Sequence, residues 1–284
     1  MRRAEIRAVL VVALGCEARP FIDMLGLKRD MDARAFEIYV RDDTALIVTG
    51  VGKTRSAAAT GYLLARVNDF DRLAVLNAGI AGAAPEMGVD VCDAFLINRI
   101  IDAGSGREFI PDILAPSVWN EAHVVTFDHA VDLQTAGRPN DGLVDMEASG
   151  FYSAANAFVG PHAIGCIKVV SDLLQVSRLQ IGDIEKWMAS HVDGIVQHLR
   201  SMTRLIKAGV DNLGKLEREW LEVASSRLRL TVSQRKMLKE TVIRYRVQTD
   251  APLVEIDSVC KGTVETKEQG KKALATLRQR LVRS

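Results

Sequence analysis

Three carboxylates and two glycine-rich segments are the places in this 284-residue chain where side-chain type and position suggest chemistry. Glu17, Glu147 and Asp172 each stand at or just after a short apolar run, and carboxylates are groups that give and take protons in general acid–base work. Gly50-Val51-Gly52-Lys53 precedes an Ala-rich stretch, so its N–H groups suit an anion or a polar ribose edge at a helix start. Gly79-Ile80-Ala81-Gly82 reads as a second turn, where glycine lets backbone come close to a flat ligand. Gly52-Lys53-Thr54 is not a triphosphate loop, because that motif needs Gly at position 47 and Ile stands there.

The elements that must position these groups alternate in type. Residues 8–14 form a continuous Val-rich run expected for a strand covered on both faces, with a helix starting near Glu17. A hairpin is predicted over 36–41 and 45–49, and a helix over 56–67. Further strands are expected at 73–77, 94–100, 142–145 and 163–170, and helices at 147–158 and 183–206. Such interleaving predicts a three-layer α/β/α sandwich with a mixed central sheet, and ligand sites in open α/β sheets lie at the carboxyl ends of strands.

Taken in order, these segments resemble the nucleoside phosphorylase and nucleosidase superfamily, in particular its methylthioadenosine/S-adenosylhomocysteine nucleosidase branch. The resemblance covers roughly residues 6–205. It rests on 13–20 (ALGCEARP), Gly50-Val51-Gly52-Lys53, Asn77-Ala78-Gly79-Ile80-Ala81-Gly82, Val144-Asp145-Met146-Glu147-Ala148 and Val169-Val170-Ser171-Asp172. The resemblance implies that Glu147 accepts hydrogen bonds from ribose hydroxyls, with Met146 packed on the sugar. It implies that Asp172, positioned by Ser171, protonates N7 of a purine, and that Glu17 activates water. Ala81 and Gly82 would line the base or ribose pocket, Gly52 belongs to the substrate-facing turn, and Phe127 or Phe151 would stack on the base. Lys168 stands where the branch carries Arg, Ile80 replaces a small polar residue, and Cys92-Asp93 replaces Gly-Asp. Hydrolysis of a 5′-substituted adenosine, with no metal or organic cofactor, and a homodimer are the implied activity and assembly. Phosphate enters as co-substrate only in the phosphorylase alternative, for which Arg19, Lys53, Arg55 and Ser56 are the candidate anion ligands. A nucleoside-binding protein without turnover is the other alternative.

Composition fits such a protein. The chain has 48% hydrophobic and 26% charged residues and a formal net charge of +1, an ordinary globular profile. The early apolar run is too short to span a bilayer, and a cytoplasmic location with no membrane partner is expected. Cys16, Cys92, Cys166 and Cys260 lie far apart without a Cys-x-x-Cys pair, and His123, His129 and His162 lack metal-ligand spacing, so no metal is expected and these histidines read as surface or turn residues. The near-neutral total hides an asymmetry of +7 over 207–284 and −6 before it. Residues 1–206 therefore read as the nucleoside-type domain and 207–284 as a basic helical extension, with helices at 212–227, 233–246 and 264–282. The boundary is expected near 209–214, and a nucleic acid or acidic partner is the less ordinary use of the extension.

Overall fold

The computed structural model describes residues 5–135, 137–175, 180–211, 213–249, 251–255, 258, 264 and 266–283. Cys260 and Asn212 lie outside these. The chain divides into two compact units, Met1–Thr203 and Arg204–Ser284.

In the first unit, β-branched and aliphatic runs form strands buried on both faces. β1 (Ala8–Val12) is buried at every position and leads into α1 (Gly15–Leu25). β2 (Lys28–Arg29), β3 (Glu37–Arg41) and β4 (Thr44–Val48) form a meander, with Asp42 at φ 51 in the β3–β4 turn. α2 (Lys53–Leu64) starts directly at the glycine turn. β5 (Ala74–Ala83) is longer than expected: residues 79–82 continue the strand instead of turning. β6 (Ala94–Asp102), β7 (Glu108–Phe109), β8 (Asn120–Thr126) and β9 (Leu143–Asp145) precede α3 (Ala148–Ala155), and β10 (Ile164–Asp172) precedes α4 (Ile181–Asp211). The helix α4 runs through 209–211, where a break was expected.

The strands form one mixed sheet in the order β10-β6-β8-β9-β5-β1-β4-β3-β2, as the sequence reading expected for a mixed α/β fold. One end of the sheet departs from a flat sandwich. β10 pairs antiparallel with β6 and parallel with β5, so five strands close on themselves. Since β1 lies between β4 and β5 in parallel, the carboxyl ends of β1, β4, β5 and β10 collect on one side.

The second unit contains α5 (Lys215–Arg227), α6 (Val232–Gln248) and α7 (Lys267–Arg283). Leu228, Leu238, Val242, Tyr245, Leu274 and Leu277 form its core. Thr231 caps α6 reciprocally with Gln234, and Arg229 at φ 51 makes the tight bend between α5 and α6.

Candidate active site

At the end of β1, the chain turns into α1 so that Glu17 occupies the third helical position, where its carboxylate reaches back over the helix start. Glu17 Oε2 accepts hydrogen bonds from the Ala13 and Leu14 N–H groups, each at 2.8 Å. Its Oε1 accepts from Ile80 N–H on β5 at 2.9 Å. The side chain is 1% exposed, and burial pushes its pKa above the ordinary carboxylate value against the opposing pull of these N–H groups and of Lys168. Gly79 makes room for this: a Cβ there would stand 2.9 Å from Glu17 Oε1.

Glu147 is placed by a helix contact. Gly150 on α3 lies against the Lys53 carbonyl of α2, and any Cβ at 150 would collide with it. This close approach lets Gly52 N–H donate to Glu147 Oε1 at 2.8 Å. Gly52 has φ 105 and Gly50 φ 79, so the turn needs glycine at both positions. Burial raises the Glu147 pKa, Lys168 lowers it, and Asp145 raises it.

Lys168 lies on β10 opposite Gly79, with its ammonium 2.8 Å from Asp145 Oδ2; the two side chains are 2% and 0% exposed. Asp145 also accepts from Thr126 Oγ1 at 2.7 Å and from Ala148 N–H at 2.8 Å. Burial would depress the Lys168 pKa, yet its carboxylate neighbours, Asp145 first, hold it above the ordinary lysine value.

At the end of β10, Ser171 Oγ lies 2.8 Å from Asp172 Oδ2, to which it donates, and 3.2 Å from the Ala81 carbonyl. Asp172 Oδ1 accepts from Leu174 N–H at 2.9 Å, and Leu174 takes φ 56, an unusual conformation for a branched residue. Cys92, where the resembled family has Gly, sits at φ 78; the Cys92 N–H donates to Val170 O and the Val170 N–H to Asp93 O, both at 2.8 Å. That turn therefore grips β10 two residues before Asp172.

These ends enclose a cavity of about 260 Å³. Glu17, Glu147, Met146, Ser171, Asp172, Ala81 and Gly82 line it together, with Asp145, Ile80, Val131 and Leu174. Four other candidates stand elsewhere. Gly52 lies behind Glu147 and acts through its N–H. Lys168 is held by Asp145 and does not line the cavity. Phe151 is fully buried on α3, and Phe127 packs into a cluster with Val144 and Leu174. Among the described lining residues the ring is His129, exposed, as expected of a surface or turn residue, and edge-on to Phe127 at 6.2 Å; its place in the lining was not expected from the sequence. Asp145, inside a quoted motif, carried no role there either. The candidate phosphate ligands do not gather here: Lys53 pairs with Asp102 and Asp128, each at 3.0 Å, Arg55 Nε donates to Thr49 O at 3.2 Å, Arg19 is exposed and Ser56 is fully buried. Among the described residues, no group of three or more His, Cys, Asp or Glu side chains is arranged to hold a metal ion.

No family model matches the chain, and no curated protein matches it in sequence. Solved structures do match. A 5′-methylthioadenosine nucleosidase of Arabidopsis thaliana aligns over 72% of this chain and 96% of its own, at 15% identity and a TM-score of 0.55. A 5′-methylthioadenosine/S-adenosylhomocysteine nucleosidase of Colwellia psychrerythraea, solved in complex with adenine, aligns over 70% and 96%, at 17% identity and 0.56. The corresponding enzyme of Campylobacter jejuni aligns over 68% and 98%, at 12% identity and 0.54. The chain thus has the fold of the methylthioadenosine/S-adenosylhomocysteine nucleosidases, carried to nearly their full length and followed by further helices.

Proposed function

We propose that this protein hydrolyses the N-glycosidic bond of a purine nucleoside, a 5′-substituted adenosine, and releases the free base. The observation that carries this is the convergence of Glu17, Glu147 and Asp172 on one cavity whose described lining contains no Lys or Arg. The likeness of fold to nucleosidases supports it. In this reading water attacks C1′ while the C1′–N9 bond breaks and its electrons pass to the purine. Asp172 gives its proton to N7, Glu17 takes one from the attacking water, and Glu147 accepts hydrogen bonds from the ribose hydroxyls while the sugar carries positive charge. Met146, Ala81 and Gly82 pack against the substrate. Carboxylates handle every proton, so we propose no metal and no organic cofactor.

The described lining holds neither Lys nor Arg, and the candidate phosphate ligands stand away from it, which supports hydrolysis over phosphorolysis, a reaction that needs donors for phosphate. We further propose residues 1–206 as the nucleoside-type domain, a homodimer, for which the exposed Ile110 and Val118 offer apolar surface, and a cytoplasmic location, which the free thiols of Cys16, Cys92 and Cys166 favour. No helix among the described residues is long and apolar enough to cross a membrane. The test is incubation with a panel of 5′-substituted adenosines and inosines, with and without phosphate, following base release by chromatography. Release without phosphate, reduced about 100-fold or more in Asp172→Asn, is expected. Release only with phosphate supports a phosphorylase, and tight binding without release supports a binding protein.

A further inference from the structure

Among its described side chains the helix α7 carries five exposed cations, Lys267, Lys271, Lys272, Arg278 and Arg280, against one acid, Glu268. Its apolar positions are committed elsewhere: Gly270, Leu274, Leu277 and Leu281 are buried, the leucines in the core of the second unit. At 3.6 residues per turn, positions 267, 271 and 278 fall within about 40° of one another on one flank of the helix. Glu268 projects away from that flank and pairs with Lys272 at 3.0 Å. Arg278 is steadied from the neighbouring helix, its Nε donating to Thr241 Oγ1 at 3.3 Å and its Nη1 to Met237 Sδ at 3.0 Å. The start of the stripe is fixed too, by a reciprocal cap in which Thr266 N–H donates to Gln269 Oε1 at 3.1 Å and Gln269 N–H to Thr266 Oγ1 at 3.2 Å.

We propose that this flank of α7 docks the phosphate backbone of a nucleic acid, without reading its sequence. The three cations span about 16 Å along the axis at 1.5 Å per residue, several phosphate spacings of a strand. A straight row of cations on a rigid helix complements a regular row of phosphates. A membrane surface fits less well, since a helix lying in a bilayer presents large apolar side chains to it, and those of α7 face inward. The basic charge of the second unit thereby gains a stated use that is independent of the reaction proposed for the first.

The test uses the full chain with fluorescently labelled 20-nucleotide single-stranded DNA and a 20-base-pair duplex, read by anisotropy. Three neutralised phosphates give a salt slope of about −2 to −2.7, so binding weakens about 20- to 40-fold between 50 and 200 mM NaCl. Lys267→Glu/Lys271→Glu, which leaves Arg278 and its contacts on α6 in place, is expected to abolish binding. Lys267→Arg/Lys271→Arg keeps it, and both variants retain wild-type helicity and base release. Absence of saturable binding at 50 mM NaCl, binding unaltered by Lys267→Glu/Lys271→Glu, or equal affinity for poly-glutamate or anionic lipid vesicles overturns the proposal.

Discussion

Replacing Lys168 by methionine removes one half of an ion pair that has no access to solvent. The ammonium and the Asp145 carboxylate are 2.8 Å apart, at 2% and 0% exposure, so neither charge is screened by water. Deleting one partner leaves the other buried and uncompensated, a loss of about 3–5 kcal/mol. The hydrogen bonds from Thr126 and Ala148 remain with Asp145 but bring no full positive charge. Against a total stability of about 5–15 kcal/mol, this is a large fraction. Because the chain has two units, the assay should report on the first alone. Hydrogen exchange of peptides from β10, measured by mass spectrometry, does so. A loss of 3–5 kcal/mol accelerates exchange by about two to four orders of magnitude, at tenfold per 1.4 kcal/mol. The pair Lys168→Met/Asp145→Asn removes both charges and is expected to recover most of the loss. If Lys168→Met costs less than about 1 kcal/mol, or the double variant is no more protected than the single one, the electrostatic account of this pair is wrong.

Gly79→Ala is expected to lower kcat about 10-fold or more with little change in KM, since a Cβ 2.9 Å from Glu17 Oε1 displaces a carboxylate that three N–H groups hold in place; unchanged kinetics would remove Glu17 from the reaction. Gly150→Ala should separate α3 from the start of α2 and weaken substrate binding through Glu147, seen as a raised KM with steady-state kinetics. His129→Ala removes the ring at the cavity mouth and is expected to raise KM about 5- to 10-fold with kcat preserved, stacking on a base being worth about 1–3 kcal/mol and this ring being partly wet; no change would mean that the base lies elsewhere. Burial lifts the pKa of Glu17, which acts as a base only when ionised, so kcat/KM should fall with pH through a value above the usual 4.3 or so. Raised carboxyl pKa values in the folded state make the contribution of Glu17 and Glu147 to stability fullest below about 4.3 and lost as pH rises through the folded values, so these two groups do not drive acid unfolding of the first unit. A pH–rate profile whose acid limb lies at or below 4.3 or so would contradict this.

Glu17, Glu147, Ser171 and Asp172 were legible because each follows an apolar run and a strand end is where ligands collect. The continuation of β5 through Gly79, Ala81 and Gly82 was not, since glycine and alanine have low strand preference and it is pairing with β10, and with β9 at Gly82, that holds them extended. β8 carries only a short alternation in sequence, Ala122-His123-Val124, which Val125 breaks, and the period of two emerges in the structure as the burial of Ala122, Val124 and Thr126. The Lys168–Asp145 pair joins residues 23 apart on β9 and β10, strands consecutive in the chain but not paired in the sheet, and no local pattern marks it. Phe127 and Phe151 were named for their rings alone, and ring type does not tell a core position from a cavity wall. The boundary expected near 209–214 rested on the change of charge and composition along the chain, whereas α4 continues through Gly209 as far as Asp211.

The closure of β10 onto β5 has a consequence for how copies of this chain can meet. A sheet ordinarily ends in two strands with unpaired backbone groups, open to a strand from another molecule. Here one end is sealed by the chain itself, and the terminal strands left among the described residues are β2 and β7, each two residues long and bearing charge at Lys28, Arg29 and Glu108. Edges so short and charged resist strand addition. Association of the folded first unit must then use side-chain surfaces, while cross-strand aggregation requires that the ring of strands first be opened.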